Sequence, residues 1–428
     1  MRRTLAIAAL ALVLAGQGWA AEWEVLDNGL RVVVVSDPNT DVMTAEMLLP
    51  ISVADEPEDK QGIRYLMQRM LLRGTTTESG DAMGEKLSAV GGVVGVNVGL
   101  DYVEIYVQAP VEGFELALGL LAEAVRLPAF LPEEVEREKR SARMGVKAAV
   151  EDPFQKTYQA FREALYGDRP YGRWVLGRAK GLEAVTRDDL VELHREHYRP
   201  VRAVLAIAGG VDTGRAIRAA QKAFGDWRSG NGREGGSPGR ADPLAWSEVA
   251  ARELPTSRAH LVLGFPAPAV GEPHYYAMQV IDSLLGGGST ARLPRALRDE
   301  TGLAYQVSSF HPTLVGGSHF GIYVVTEEGS VGEMKAAILR ELERLQQETA
   351  PPAELARAKQ YLLGSYALSR QESRTQAYSA AWYELLGLGP EFDRQYREAV
   401  NAVTAQQVQE TAQELIHHFV LALTMPSG

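Results

Sequence analysis

The sequence contains no cysteine, which excludes disulfides, thiolate metal ligands and thiol nucleophiles from whatever this chain does. It has no run of basic residues, and a formal charge of −11 makes it a poor candidate for the phosphate neutralisation that dominates nucleic-acid affinity, leaving room only for a local basic cavity. No nucleic-acid partner is expected. Past the N-terminal leader no stretch reaches the roughly 18 consecutive apolar residues of a membrane helix, so no stable membrane span is expected either. Histidines number 8, and the first is His194. Everything before it must do its chemistry without imidazole.

What is present points to an exported, well-packed protein. Of the 428 residues 46% are hydrophobic, enough for two or three compact domains. Arg2 and Arg3, an apolar run over 5–15, and the small residues Gly18 and Ala20 make a signal-peptide pattern over 1–20, with cleavage expected after Ala20. Losing those two arginines takes the formal charge of the mature chain to −13. The expected location is the periplasm or the cell exterior.

A compositional break lies at 226–246, rich in Gly, Ser and Pro and without apolar periodicity, as in a surface linker. It divides the chain into an N-terminal domain (21–228), a linker (229–246) and a C-terminal domain (247–428). The two parts resemble each other. Pro-Glu-Glu-Val-Glu-Arg-Glu-Lys at 132–139 is answered by Pro-Ala-Glu-Leu-Ala-Arg-Ala-Lys at 352–359, and Ala-Val-Thr at 184–186 by Ala-Val-Thr at 402–404, at offsets of 220 and 218. Two motifs in one order indicate an internal duplication.

Strand-like runs alternate with helical ones in both parts. A hairpin is predicted over 25–36 around Asn28-Gly29, with strands at 102–108 and 259–265. Helical periodicity marks 62–72, 114–126, 132–150 and 187–198, then 275–285, 331–347 and 352–386. The fold class this predicts is α+β: two homologous domains, each a mostly antiparallel β-sheet covered by α-helices, joined by the Gly/Ser/Pro-rich linker.

Residues 62–76 read Gly-Ile-Arg-Tyr-Leu-Met-Gln-Arg-Met-Leu-Leu-Arg-Gly-Thr-Thr. They resemble the metal-binding helix of the pitrilysin/insulinase family of zinc peptidases, which reads Gly-x-Ala-His-x-x-Glu-His-Met-Leu-Phe-x-Gly-Thr. The likeness continues through Phe-Gly-Asp-Trp at 224–227 and Leu-Leu-Gly-Gly-Gly-Ser-Thr-Ala-Arg-Leu at 284–293. In active members the two histidines hold zinc and the glutamate takes a proton from the metal-bound water. The matching positions here are Tyr65, Gln68 and Arg69. A phenol, an amide and a guanidinium supply neither the ligands nor the base.

The family's third ligand, a glutamate, falls on Gly145, 76 residues past Arg69, with Met144 beside it. The resemblance therefore implies a member with no metal of its own. Tyr65, Gln68 and Arg69 then read as surface or core residues tolerated once the metal was lost; the sharper alternative is that Arg69 puts a fixed charge where the metal stood and holds an acid such as Glu104 or Glu85. His194 and His197, one turn apart, read as a solvated helix face, and the adjacent His417 and His418 diverge on a helix. Gly286, Gly287 and Gly288 lack the following Lys-Ser or Lys-Thr of a phosphate loop and read as a close-packed turn.

Leu-Arg-Asp-Glu-Thr-Gly-Leu-Ala-Tyr at 297–305 resembles the family segment whose arginine and, seven residues on, tyrosine reach the substrate at the zinc. This assigns Arg298 and Tyr305. A helix through Arg298 is expected to stop at Gly302 in a left-handed cap, and the next strand to carry Tyr305 back beside the arginine. Both side chains can donate hydrogen bonds to a scissile carbonyl.

Short family members pair as dimers around a chamber, often with zinc in one chain and the Arg/Tyr pair in the other. The resemblance thus implies a catalytically incomplete subunit of a heterodimer, without autonomous metallopeptidase activity. Zinc would sit in a homologous partner, and peptides would bind as an added strand on an exposed sheet edge. The rival readings are a structural or peptide-holding module, a homodimer that binds peptides without cutting them, and hydrolysis by unrelated chemistry, for which no coherent Ser/His/Asp set is present.

Overall fold

The computed structural model describes residues 21–228 and 249–427; the expected signal peptide (1–20) and linker (229–246) lie outside the described residues. β1 (Ala21–Val25) and β2 (Arg31–Ser36) form the predicted hairpin. β2 runs parallel to β6 (Val204–Gly209), which pairs antiparallel with β3 (Val42–Leu49). β3 then pairs with β5 (Val103–Pro110) and β5 with the edge strand β4 (Val93–Val98), both antiparallel.

The second sheet repeats this order without β1. β7 (Val249–Leu254) lies parallel to β11 (Val420–Pro426), followed antiparallel by β8 (Ala259–Ala267), β10 (Ser318–Thr326) and the edge strand β9 (Ala304–Phe310). The α+β class and the duplication are therefore visible as two like sheets, each with one parallel pair.

The apolar runs of β2 and β6 do not alternate, because both faces of the first sheet are covered. Val32, Val34, Leu205 and Ile207 face a core shared with helix Phe114–Arg126. Val33, Val35, Val204 and Ala206 face Ala377, Ala381 and Trp382 of helix Ser373–Leu385, which comes from the second half. The exchange is reciprocal. Helix Pro153–Tyr166 of the first half lays Phe161 and Leu165 on Val262, Val420 and Ala422 of the second sheet. Gly264 in β8 makes the room: a Cβ there would come within 2.7 Å of the Phe161 ring.

Beside Phe161, the buried His319 of β10 bonds Tyr158 Oη at 2.7 Å and Tyr166 Oη at 2.8 Å. Burial first, then the charge of Arg162, holds its imidazole well below the usual range, hence neutral.

These exchanged helices correct one expectation. Residues 352–386 form two helices, Pro352–Ser369 and Ser373–Leu385. No Pro or Gly marks the break, so periodicity ran across it. Tertiary contacts fix it: Arg370 donates to the hydroxyls of Tyr366 and Tyr383 at 2.7 and 2.8 Å, and Gln376 Nε2 donates to the Arg370 carbonyl at 2.8 Å. In the first half the corresponding break is written in the sequence, with Asp152 capping the helix that opens at Pro153.

The repeated motifs also hold equivalent places. Thr186 and Thr404 each cap a helix reciprocally, with Asp189 and Gln407. Lys139 reaches the Val185 carbonyl, directly ahead of its cap, at 2.9 Å, and Lys359 reaches that of Asn401, three residues ahead of its cap, at 2.8 Å.

Candidate functional site

Helix Ile63–Met70 forms because Ile63, Leu66, Met67 and Met70 share a buried face. Tyr65 and Arg69, one turn apart, face the long helix Pro132–Glu151. There Arg69 Nε donates to Glu138 Oε2 at 2.6 Å and its Nη2 to Ser141 Oγ at 2.7 Å. Arg73 Nε holds the other Glu138 oxygen at 2.7 Å. Glu138 is only 2% exposed, so a buried carboxylate is clamped between two guanidinium groups.

Gly145 lies two turns beyond Glu138 on the same helix. A Cβ at this position would come within 2.7 Å of Tyr65 Oη: the phenol occupies the space into which a third ligand would project. Gln68 turns away, donating to Tyr198 Oη at 3.1 Å from a buried position.

The structure thus brings Tyr65, Arg69 and Gly145 together and separates Gln68 from them. A divalent cation here would meet two guanidiniums and one carboxylate already bound by both. These residues do not fit zinc. Among the described residues no group of three or more His, Cys, Asp or Glu side chains is arranged to hold a metal.

The acid that Arg69 holds is Glu138, not the Glu104 or Glu85 of the sharper alternative. Its signal was present, though unread: Val135, Glu138 and Ala142 recur at helical spacing on the buried face, and an acid on such a face needs a partner. Glu85 is exposed. Glu104, buried in β5, instead accepts from Arg374 Nη2 of the exchanged helix at 2.6 Å and from Asn97 Nδ2 at 3.3 Å.

Glu46 of β3 is buried beside Glu104, and neither of its oxygens meets a donor. Burial, then the Glu104 charge and a hydrogen bond to it, push Glu46 up to about 10, against an opposing pull from Arg374. Glu46 therefore keeps its proton, which Glu104 can accept.

The histidines read as a solvated face are more enclosed than that. His194 is half-buried, bonds the Val125 carbonyl at 2.7 Å and stacks on Tyr198, because it follows the buried Leu190 and Leu193 on the core-facing side of this helix. His197 Nδ1 faces Arg202 Nη1 at 2.9 Å, no place for a metal. Gly286 is close-packed as expected, against Ser309 of β9.

In the second half, Arg298 lies in a π-helical turn, Pro294–Glu300, closed by Gly302 at φ +67°. The turn packs along β9, whose second residue is Tyr305. The two side chains share one end of this edge strand, yet no hydrogen bond joins them. Arg298 Nε donates to Asp299 at 2.8 Å. Tyr305, 51% exposed, donates to the Glu327 carboxylate and lies under the Arg258 guanidinium, 3.3 Å from its ring centroid. Arg258 and Glu327 are the residues that sequence reasoning missed; they join the tyrosine only when the strands pair.

Two duplicated sheets, an exchanged helix pair and a metal-motif helix whose ligand positions hold an arginine clamp define a peptidase-type scaffold without its metal chemistry. Residues 31–178 match the family described as Insulinase (Peptidase family M16), and residues 184–362 match the Peptidase M16 inactive domain. The chain belongs to the M16 peptidase family.

It is 27% identical over 403 residues to the uncharacterized zinc protease YmxG of Bacillus subtilis, covering 94% of this chain and 97% of that protein. It is 25% identical over 352 residues to an uncharacterized zinc protease of Rickettsia felis, covering 81% and 83%. In fold it is similar to a protease from Helicobacter pylori (TM-score 0.89, 19% identity, 95% and 99% covered) and to a peptidase M16 inactive domain from Pseudomonas fluorescens (TM-score 0.85, 20% identity, 96% and 98% covered).

Proposed function

We propose that this chain is the non-zinc half of a peptidase heterodimer. It would supply Arg298 and Tyr305 to a homologous, zinc-bearing partner subunit that hydrolyses peptides. One contrast carries the reading: Arg69 and Glu138 fill the former metal position with an ion pair, while Tyr305 stays exposed at the end of an open sheet edge. A peptide added along such an edge is recognised chiefly through its backbone. Arg298 and Tyr305 would then donate to its carbonyl or to the charge developing there. Signal-peptide removal after Ala20 would put the mature chain in the periplasm, where it would meet the partner.

The test is co-expression with a zinc-bearing homologue and measurement of peptide turnover by the complex with native chain, Arg298→Ala and Tyr305→Phe. A fall of roughly 100-fold or more in kcat is expected, as for loss of a transition-state donor. Unchanged turnover in both variants would remove the catalytic contribution. It would favour a non-catalytic peptide-binding or scaffold role, in keeping with the bonds that Arg298 and Tyr305 already make to Asp299 and Glu327.

A further inference from the structure

The exposed side of helix Pro132–Glu151 carries Arg140, Arg143 and Lys147, and the segment 174–179 facing it adds Arg178. These four cations border an open groove of about 730 Å³, with Glu151 as the acid among its lining residues. In a chain whose formal charge is −11, this concentration runs against the average. Helical spacing sets it up: 140, 143, 147 and 151 follow one side of the helix, while Val135, Glu138 and Ala142 are buried on the other.

The cations are available. Arg140 and Arg143 have no ion pair or side-chain hydrogen bond among the described residues. Lys147 and Arg178 have only long, exposed pairings, to Glu151 at 3.8 Å and Glu163 at 3.7 Å, and such pairs contribute little. Between the charges lie Met144, 67% exposed, and the half-buried Trp174. An exposed thioether and an indole give adaptable apolar contact.

We propose that this groove binds acidic peptide segments in extended form, their carboxylates on Arg140, Arg143, Lys147 and Arg178 and an apolar side chain against Met144 and Trp174. The proposal deepens the reading of the chain as one half of a peptide-hydrolysing pair, and it rests on that reading for the presence of peptide. Met144 and Val146, which flank Gly145, both line the groove, so it adjoins the former metal position. Arg69 and Arg73 both already engage the single Glu138 carboxylate there, which leaves one net positive charge at that position, so the preference for acidic segments comes mainly from the four groove cations. Attraction of this kind weakens with ionic strength.

The test uses the mature full-length chain by itself. Its binding to two fluorescein-labelled peptides of equal length is followed by anisotropy, one of Asp and Glu with interspersed Leu and the other of Lys with the same Leu positions. The acidic peptide is expected to bind, more weakly as salt is added, and the Lys peptide not to bind. Arg143→Glu with Lys147→Glu should weaken acidic-peptide binding by roughly tenfold or more, and Met144→Ser by a smaller factor. If the charge-reversed protein fails to fold, as judged by its circular dichroism melt, Arg140→Gln and Arg143→Gln must still each weaken binding severalfold.

Equal binding of both peptides, or acidic-peptide affinity unchanged by these substitutions, would overturn the proposal. So would a single-stranded oligonucleotide that competes equally well and is indifferent to Met144→Ser, since that marks a general polyanion surface. Failure of the acidic peptide to bind sinks the groove alone, because turnover of the Arg298 and Tyr305 variants is read separately in the complex.

Discussion

Arg374 crosses from the second half of the chain to the first sheet and binds Glu104 at 2.6 Å, its guanidinium 3.9 Å from the ring centroid of Tyr106. The contact joins the exchanged helix Ser373–Leu385 to β5, and removing the Arg374 charge while the helix stays in place leaves the buried Glu104 carboxylate with Asn97 as its remaining nitrogen donor. Replacing Arg374 by Met keeps much of the side chain's volume and removes the charge. Because Arg374 is itself 42% exposed, the loss is set at about 1–2 kcal/mol rather than the larger cost of breaking a fully buried pair. Urea denaturation measures it, and hydrogen exchange should quicken first in the exchanged helix.

Glu46 gives the molecule a pH dependence of defined sign. Its folded pKa, about 10, lies above the 4.5 of an ordinary glutamate, so between those values the unfolded chain holds fewer protons than the folded one. The stability this proton contributes is complete below about pH 4.5 and declines toward pH 10, by up to about 1.4 kcal/mol per pH unit. Glu46→Gln keeps the shape and cannot ionise. Denaturation curves from about pH 6 to about pH 9 should show the variant gaining on the native protein by more than about 1 kcal/mol; parallel curves would show that Glu46 does not titrate in this way.

His319 acts in the opposite direction. With its folded pKa depressed well below the usual 6.5, the neutral ring stabilises the protein above that value, and the contribution is lost as the pH falls. Protonation would set a cation beside Arg162 under the other exchanged helix. A His319→Gln variant should start with a lower Tm, having lost ring packing against Phe161. Its Tm should nevertheless fall less than the native one between about pH 7 and about pH 5.

Gly145 and Tyr65 should be energetically coupled. Alanine is favoured over glycine inside a helix by about 1 kcal/mol, but here a methyl would meet Tyr65 Oη at 2.7 Å, while the next ring atom, Cζ, is at 3.7 Å. Gly145→Ala should therefore yield little or no stabilisation in the native protein and about 1 kcal/mol more in a Tyr65→Phe background. The four stabilities of this double-mutant cycle measure the coupling, and strict additivity would mean that the phenol does not fill the third-ligand space.

The sequence by itself determined the duplication, the α+β class and most of the element types, because these rest on local terms: hydrophobic period, capping residues and the Asn28-Gly29 turn. It also determined which metal-motif positions lack ligands, since Tyr65, Gln68, Arg69 and Gly145 are matters of residue identity. Only the tertiary structure decided that Glu138 rather than Glu104 or Glu85 holds Arg69, that 352–386 breaks without a breaker residue, and that each half covers the other's sheet. Those outcomes depend on which buried charge finds which partner across tens to hundreds of residues. Spacing along one chain constrains such pairings only where the fold has already brought the elements together.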